Sequence, residues 1–491
     1  MGPYGVHWDR SQTWWSMVDG YHQYITRCQY LLQQGRTVAD LLYLTPEGAP
    51  HVFVPPASAI AGDTIGNRKG YNFDGCSPMQ LMKASVVNHQ VVFPGGASYR
   101  ILILPAVRSM TPELLTKIGE LVKLGATVIG SPPLRSPGLS GFPDCDRKVK
   151  SLSEQIWGST VEPLQETHRK YGAGLLIWGG AFATAIDHLY PAYDLTASLL
   201  HSKNSSEDFK ADSCVRYTHR TSGGWDLYFL SNTTNKPITV NSSFRTAKGS
   251  PEQWDAVTGK IRPVYDFKVH QGITTMPLQL APYESCFIMF SNENKWAPSG
   301  KSSVTYQHIL ATLEGPWEVN FDPKWGGPAH TVFDTLSDWS KNKEEGIKYY
   351  SGNATYHKKF DAPPADRISG KTPLYLDLGK VKNITRVTLN GKDLGVVWTA
   401  PWRVDISAYI RQKDNDLKIE VANLWPNRLI GDEKKPFDGI VNDQWPAWLL
   451  NHQPRTSGRY TFTSSIQYNA ESPLLESGLL GPVTIVKEIT K

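Results

Sequence analysis

Cysteine is scarce. The five residues Cys28, Cys76, Cys145, Cys214 and Cys286 are spread across 491 positions. That spacing excludes a disulfide framework and a Cys-x-x-Cys metal site, and predicts small buried hydrophobes. Long apolar runs are missing too. None reaches the roughly 18 residues of a membrane helix, so no membrane partner is expected. Charge of one sign is not in excess: 51 basic and 46 acidic residues leave +5. The basic residues do not form runs, so nucleic acid is not an expected partner. No GxGxxG or GxxxxGK[ST] stretch occurs, so nucleotide binding has no support. Met1-Gly2-Pro3-Tyr4 is followed by polar residues and not by an apolar signal core, and the opening reads like the interior of a fold.

Aromatic residues are plentiful. Sixteen Trp and 22 Tyr help bring the aromatic fraction to 11%. Carbohydrate-active proteins use such residues on their surfaces, and β-rich domains use them in their cores. Both readings stand on composition alone.

The chain begins with GVHWDRSQTWWSMVDGYHQYITRCQYLLQQGR. Trp14, Val18, Tyr21, Ile25, Cys28 and Leu32 recur at spacings of three and four, which predicts a helix from about Thr13 closed by Gly35. The preceding His7, Asp9 and Arg10 fit the end of a strand entering that helix. In a (β/α)₈ barrel such residues line the active-site mouth; in any other βα unit they are a solvated ion pair.

Residues 37–204 alternate strand and helix. Residues 38–44, 52–54, 91–93, 101–104 and 127–129 are expected strands. Ser77-Pro78 and Thr111-Pro112-Glu113 supply helix starts, Ser or Thr as N-cap and Pro at the first position. This pattern predicts a parallel sheet with helices on both faces, a flavodoxin-like or amidotransferase-like α/β domain. From about residue 205 short strands and turns take over, predicting a β-sandwich over residues 205–294, in which His219 and Arg220 hold a sheet corner. Residues 295–303 form a polar linker.

The last region, residues 304–491, holds the clearest strand pattern. Val387 and Leu389 alternate with Arg386, Thr388 and Asn390. Asn390-Gly391 suits a tight hairpin, and Leu394, Val396 and Val397 rise on its far side. Leu417, Ile419 and Val421 follow with charged partners between them. A jelly-roll sandwich is expected. Trp398, Trp402, Arg403, Asn423, Trp425 and Arg428 have two readings: a concave sugar-binding face, or packing of this domain, through Trp402 and Arg403, against a neighbour. Asp432, Glu433, Asp438 and Asp443 are rich in oxygen but lack the spacing of a Ca²⁺ loop, and are expected to be a solvated acidic surface.

Several stretches together resemble the C-terminal part of glycoside hydrolase family 106, the bacterial α-L-rhamnosidases. GVHWDRSQTWW resembles the end of the family's catalytic barrel, and HRTSGGWDLYFLSN and PEQWDAVTGKIRP its middle sandwich. GPWEVNFDPKWGGP, LNGKDLGVVWTAPWRVDIS, VANLWPNRLIGDE and GLLGPVTI resemble its jelly roll, related to the galactose-binding-like domain of the β-galactosidase clan. The resemblance implies a barrel remnant over residues 1–36, followed by the three domains above. It implies inverting hydrolysis of rhamnose-containing plant glycans, by a Glu pair with Ca²⁺ possible in the full-length family, and export to the periplasm or beyond.

A barrel needs about 200 residues or more, and the only acids before Glu47 are Asp9, Asp19 and Asp40. No catalytic residue is therefore assigned within this chain, no cofactor is expected in it, and the chain alone is expected to be inactive, with the missing barrel as a partner. By the resemblance His7, Asp9 and Arg10 line the substrate site, with Trp14 or Trp15 as an aromatic wall. Two alternatives remain: a non-catalytic carbohydrate-binding or scaffold protein, and the accessory domains of another glycosidase such as a β-galactosidase relative.

Overall fold

The computed structural model describes residues 7–48, 71–179, 193–199, 215–300, 304–364 and 372–490. The expected strand at residues 52–54, and Cys214, lie outside these. The chain divides into two compact units, Met1–Cys28 with Thr305–Lys491, and Gln29–Val304. It is mostly β-sheet with few helices.

The second unit opens with an α/β layer. Five strands run parallel in the order Phe73–Cys76, Leu41–Leu44, Ile101–Ile103, Thr127–Ile129 and Gly174–Trp178, with Thr167–Tyr171 antiparallel at the edge. Numbered along the chain, the parallel strands stand 2-1-3-4-5. Ile101, Leu102 and Ile103 are all buried, as a strand covered on both faces requires. Ser77 and Thr111 cap their helices as expected, accepting from Gln80 N and Leu114 N at 3.3 Å each.

Among the described residues the helices lie on one face, not both. Pro112–Lys123 and Asp144–Trp157 share a core with Leu42, Leu102, Val128 and Leu176. The other face is filled by Leu41, Ile101, Ile103, Ile129 and Ile177 with Tyr71 and Tyr193.

The sandwich of this unit begins earlier in the chain than residue 205. Leu195–Leu199 pairs with Ile238–Phe244, and Arg36–Val38 pairs with Val215–Ser222. The expected single strand over residues 38–44 is in fact two, Arg36–Val38 and Leu41–Leu44, each in a different sheet. Leu195 and Ala197 point inward and are buried, and this alternation places the short strand in the sandwich. Ile238–Phe244 and Ile273–Leu280 alternate buried and half-buried along their whole length. Tyr228, Phe244, Met276, Ile288 and Phe290 fill the space between the sheets.

Buried charge crosses this unit. His219 Nδ1 lies 3.0 Å from Asp194, and its Nε2 lies 3.2 Å from Asp226. Tyr228 stacks on the imidazole at 3.9 Å. Arg245 bridges Asp194 and Asp40, and Arg100 also reaches Asp40 at 3.1 Å. Arg220 donates to the carbonyls of Gln34 and Gly35. His219 and Arg220 are therefore held in structural contacts, as the sequence leads one to expect.

In the first unit two antiparallel sheets face each other. One runs Thr331–Phe333, Trp317–Asn320, Asn353–Phe360, Asn415–Ala422, Ile384–Leu389, Lys392–Val397; the other runs Thr305–Thr312, Thr484–Thr490, Leu374–Asp377, Arg403–Asp405. Val387, Leu389, Leu417, Ile419 and Val421 are all buried between them, each contributing about 1.5–3 kcal/mol by leaving water. The hairpin turns at Asn390 and Gly391, with φ of 53° and 77°. Both residues adopt the left-handed region that this turn needs. The Asn390 side chain then donates to Tyr409 O at 2.7 Å and fixes the turn to the next loop.

Candidate functional site

The first unit carries every residue singled out in the sequence as a substrate or sugar contact. Its opening loop leads into a 3₁₀ turn, Trp15–Met17, and then the helix Val18–Leu32. His7, Trp8, Asp9 and Arg10 are all exposed. Asp9 accepts from the backbone N and the hydroxyl of Ser11, at 2.8 and 2.6 Å. These bonds favour the carboxylate and hold its pKa below the ordinary value. Asp9 is thus an anion at neutral pH and a hydrogen-bond acceptor, not a general acid.

Trp8 lies beside these groups. It is 47% exposed and donates from Nε1 to His22 Nε2 at 2.8 Å. Its ring meets Trp14 at 4.8 Å and Tyr21 at 5.2 Å. Sequence reasoning passed over Trp8 and His22, although they are 14 residues apart on either side of the helix start. The usable signal was the tryptophan lying between His7 and Asp9 in the same loop.

Trp14 does not stand as an open wall. It packs with Met17, Ile384, Val396, Trp398 and Ala422, a small apolar seam between the opening segment and the jelly roll. Trp15 is half-buried beside it, 6.4 Å away. Tyr21 and Tyr24 contact Trp398 at 5.0 and 5.1 Å. Trp398 Nε1 is buried and, among the described residues, has no hydrogen-bond partner. Arg386 ties the same seam, at 3.0 Å from Asp19 and 2.7 Å from Asp393.

The six jelly-roll residues do not meet on one concave face. Trp398 packs against the opening helix. Trp402, half-buried, leans on the jelly roll's own core. Arg403, expected beside it, pairs with Glu488 at 2.7 Å and covers the Tyr375 ring at 4.6 Å. Asn423 is buried and bonds to Gly352 N, Tyr350 O and Ser477 Oγ. Its own carbonyl accepts from Thr13 Oγ1. Trp425 donates to Ser11 O at 2.9 Å and meets Trp325 edge-on at 4.8 Å. The contacts of Trp398, Asn423 and Trp425 bind the opening segment to the domain, and Trp425 touches the loop that carries Asp9.

Arg428 and the acidic patch need the same correction. Arg428 is buried, 3.2 Å from Asp432, with its guanidinium over the Tyr460 ring at 4.7 Å. Burial lowers its pKa, against the opposing pull of Asp432. Asp432 is fully buried and accepts from Tyr460 N, Thr461 N and Thr461 Oγ1. Glu433 pairs with Arg459 at 3.0 Å, and Asp438 is gripped by both arms of Arg455 at 2.6 and 2.7 Å. Only Asp443 is exposed. The patch is therefore not a solvated surface, because arginines within the same fold neutralise it. A divalent cation needs several free oxygens at one point; here arginines and backbone N–H groups hold most of them, and the buried Asp432 Oδ1, which makes no hydrogen bond among the described residues, faces Arg428. Among the described residues no group of three or more His, Cys, Asp or Glu is placed to hold a metal ion. The acidic patch does not fit a Ca²⁺ site.

The thiols follow expectation where they are described. Cys28, Cys76, Cys145 and Cys286 are free and buried. Burial pushes the Cys76 thiol up to about 12, which keeps it protonated and unreactive.

Comparison with known proteins gives this geometry its family. The alpha-L-rhamnosidase family, glycoside hydrolase family 106, matches residues 1–269, and the galactose-binding domain-like module of glycosyl hydrolase family 2 matches residues 335–469. A rhamnosidase structure from Novosphingobium sp. PP1Y superposes on 98% of this chain and 42% of that one, with a TM-score of 0.76 and 29% identity. A Formosa agariphila protein provisionally named beta-glucuronidase is 25% identical, covering 98% of this chain and 58% of its own length. This chain thus spans about half the length of these relatives or less. A beta-glucuronidase of an uncultured Clostridium sp. reaches a TM-score of only 0.23 at 16% identity, covering 38% of this chain and 29% of that one. The chain, with its galactose-binding-like jelly roll, belongs to glycoside hydrolase family 106, the α-L-rhamnosidase family.

Proposed function

We propose that this chain is the C-terminal portion of an inverting α-L-rhamnosidase acting on rhamnose-containing plant-type glycans. Its loop at residues 7–11 forms one edge of the substrate site. The observation that carries the reading is this loop itself. It lies inside the stretch matched by the rhamnosidase family and presents His7, Trp8, Asp9 and Arg10 together at the surface. A charged acceptor, a cation and an open indole are the groups that recognise a deoxysugar's hydroxyls and its apolar face.

Inversion needs two carboxyl groups about 6.5–9.5 Å apart, one protonated and one ionised. Asp9 is held as the anion and faces no second acid in its loop. The acid and base therefore come from a preceding barrel, of which residues 1–36 are the last unit. The domains that follow are an α/β domain, a middle sandwich and the jelly roll. The 2-1-3-4-5 strand order of the α/β domain is that of flavodoxin-like sheets and supports this reading of it. Ca²⁺, where the full-length family uses it, belongs with that barrel. Export beyond the cytoplasm fits an enzyme that degrades polymers.

The test uses an aryl α-L-rhamnoside. The 491-residue chain is expected to release no 4-nitrophenol above background, whereas a version preceded by a barrel should release it and form β-L-rhamnose first by NMR. In that longer enzyme Asp9→Ala should lower kcat/KM by about tenfold or more, the order for a lost charged hydrogen bond. Clear turnover by the 491-residue chain, or an unchanged kcat/KM, overturns the proposal. The name of the Formosa protein favours one second reading, a glucuronidase. Release from the aryl β-glucuronide and not from the rhamnoside would establish it.

A further inference from the structure

Residues 436–476 leave the jelly roll on a long excursion with only one short helix, Ala447–Leu450. Three aromatic side chains on it are exposed, Trp445 at 53%, Phe462 at 40% and Tyr460 at 37%, and the first two face each other. Their planes lie within 9° of each other, with centroids 6.0 Å apart. Trp448 closes one side, edge-on to Phe462 at 6.1 Å.

These rings are fixed from below. Trp448 Nε1 donates to Asp438 O at 2.9 Å. The Asp438 carboxylate takes both arms of Arg455 and the Ser457 hydroxyl. Arg455 also covers the Trp448 ring, and donates to Thr461 O next to Phe462. Directly before Trp445, Asn442 and Asp443 turn the chain with φ of 50° and 59°, and Val441 and Gln444 exchange backbone bonds across the turn. Rings exposed by disorder would not need such a frame. The exposed Asn442, Asp443 and Gln444 add planar polar groups beside the indole.

A relay of contacts connects the excursion to the loop at residues 7–11. Ser11 is bonded to Trp425, Trp425 meets Trp325, and Gly326 backs so closely on Tyr460 that a Cβ there would fall 2.6 Å from the ring. Tyr460 is two residues from Phe462. We infer that Trp445 and Phe462 form a secondary glycan-binding platform, which holds a stretch of polysaccharide beyond the sugar engaged at the loop. Trp445 and Phe462 stack on each other, which leaves the outward surface of the pair for the C–H face of a sugar, and amide and carboxylate groups suit its hydroxyls. The inference rests on the proposed carbohydrate function but not on catalysis. It concerns polymer capture, so it predicts a preference for long chains over the free monosaccharide.

The test is affinity electrophoresis of the 491-residue chain in gels containing soluble rhamnogalacturonan, with free L-rhamnose as competitor. The wild-type chain should be retarded, and free L-rhamnose should compete poorly. Trp445→Ala and Phe462→Ala should each weaken the interaction by about fivefold to tenfold, the order of one lost stacking face. Trp445→Tyr should restore most of it, which separates lost stacking from lost folding. The inference is overturned if the wild type is not retarded or if both alanine variants are retarded equally with it. It is also overturned if gel filtration shows a concentration-dependent dimer that Trp445→Ala abolishes. Absence of rhamnosidase activity in a barrel-containing enzyme, with platform-dependent retardation intact, would remove the catalytic reading and leave this one standing.

Discussion

At the scale of single residues, the most consequential group is His219. Burial alone would lower its pKa, but hydrogen bonds to Asp194 and Asp226 on its two nitrogens outweigh this and raise it above 6.5. Both nitrogens face carboxylates, so the imidazolium satisfies both acceptors and the neutral ring only one. Tyr228 stacks on it, Lys248 reaches Asp226 at 3.1 Å, and Arg245 reaches Asp194 at 3.3 Å. A folded pKa raised above the unfolded value means stability that is fully present below about pH 6.5 and lost as pH rises through the folded value. Urea unfolding followed across pH 5–9 should show this loss in the wild type. His219→Gln should cost about 1.5–3 kcal/mol at the acidic end, because it removes a hydrogen-bonded cation from between two buried carboxylates that keep only Lys248 and Arg245. The gap between the two proteins should narrow as pH rises. A constant gap would mean that His219 is neutral throughout and acts by packing.

At the scale of elements, much was legible. The Asn390-Gly391 hairpin, the Ser77 and Thr111 caps, and the alternation of residues 384–397 follow from turn chemistry and period, which are local properties. Two things were not legible. Residues 38–44 form one apolar-looking run, yet Asp40 interrupts it and accepts bonds from Arg245 and Arg100, 205 and 60 positions away. Leu195–Leu199 looks like any short strand, and only its partner Ile238–Phe244 decides its sheet. The candidate site shows the same limit. Trp14, Trp398, Asn423 and Arg428 have the residue types of a sugar site, but Asn423 and Arg428 are buried and the two tryptophans pack into the apolar seam, which are properties of the tertiary structure.

The helix Val18–Leu32 shows what local rules miss. Gly20 within it is costly by propensity, by about 1 kcal/mol against Ala. A Cβ there would fall 2.9 Å from Cβ and Cγ1 of Val396. Val396 Cβ is fixed to a strand and cannot yield like a flexible chain end. Gly20→Ala should therefore destabilise the seam by about 1–3 kcal/mol despite its better propensity. Faster tryptic cleavage after Arg27 would report it, and slower cleavage would show that the helix gains more than the seam loses.

At the scale of the whole molecule, the chain leaves one compact unit at about Cys28 and returns to it at Thr305. The jelly roll has a large core of its own, from Trp317 through Val421 to Ile485. That core should let residues 305–491 fold alone. Its outer face would nevertheless be incomplete, because Ile384, Val396, Trp398 and Ala422 are covered by Trp14 and Met17 of the opening segment. Aromatic and aliphatic surface of that kind, left open, attracts hydrophobic dyes and self-associates. Residues 305–491 expressed alone should therefore bind such a dye more strongly than the 491-residue chain and elute in a concentration-dependent manner. Adding a peptide of residues 7–28 should suppress both effects, through the seam and through the bonds of Trp425 to Ser11 and Arg386 to Asp19. A peptide carrying Trp14→Ala and Met17→Ala should not. If the isolated jelly roll binds no dye and ignores the peptide, the opening segment is held by the rest of the chain alone. In that case the apolar seam contributes nothing to where the loop of His7, Asp9 and Arg10 is placed.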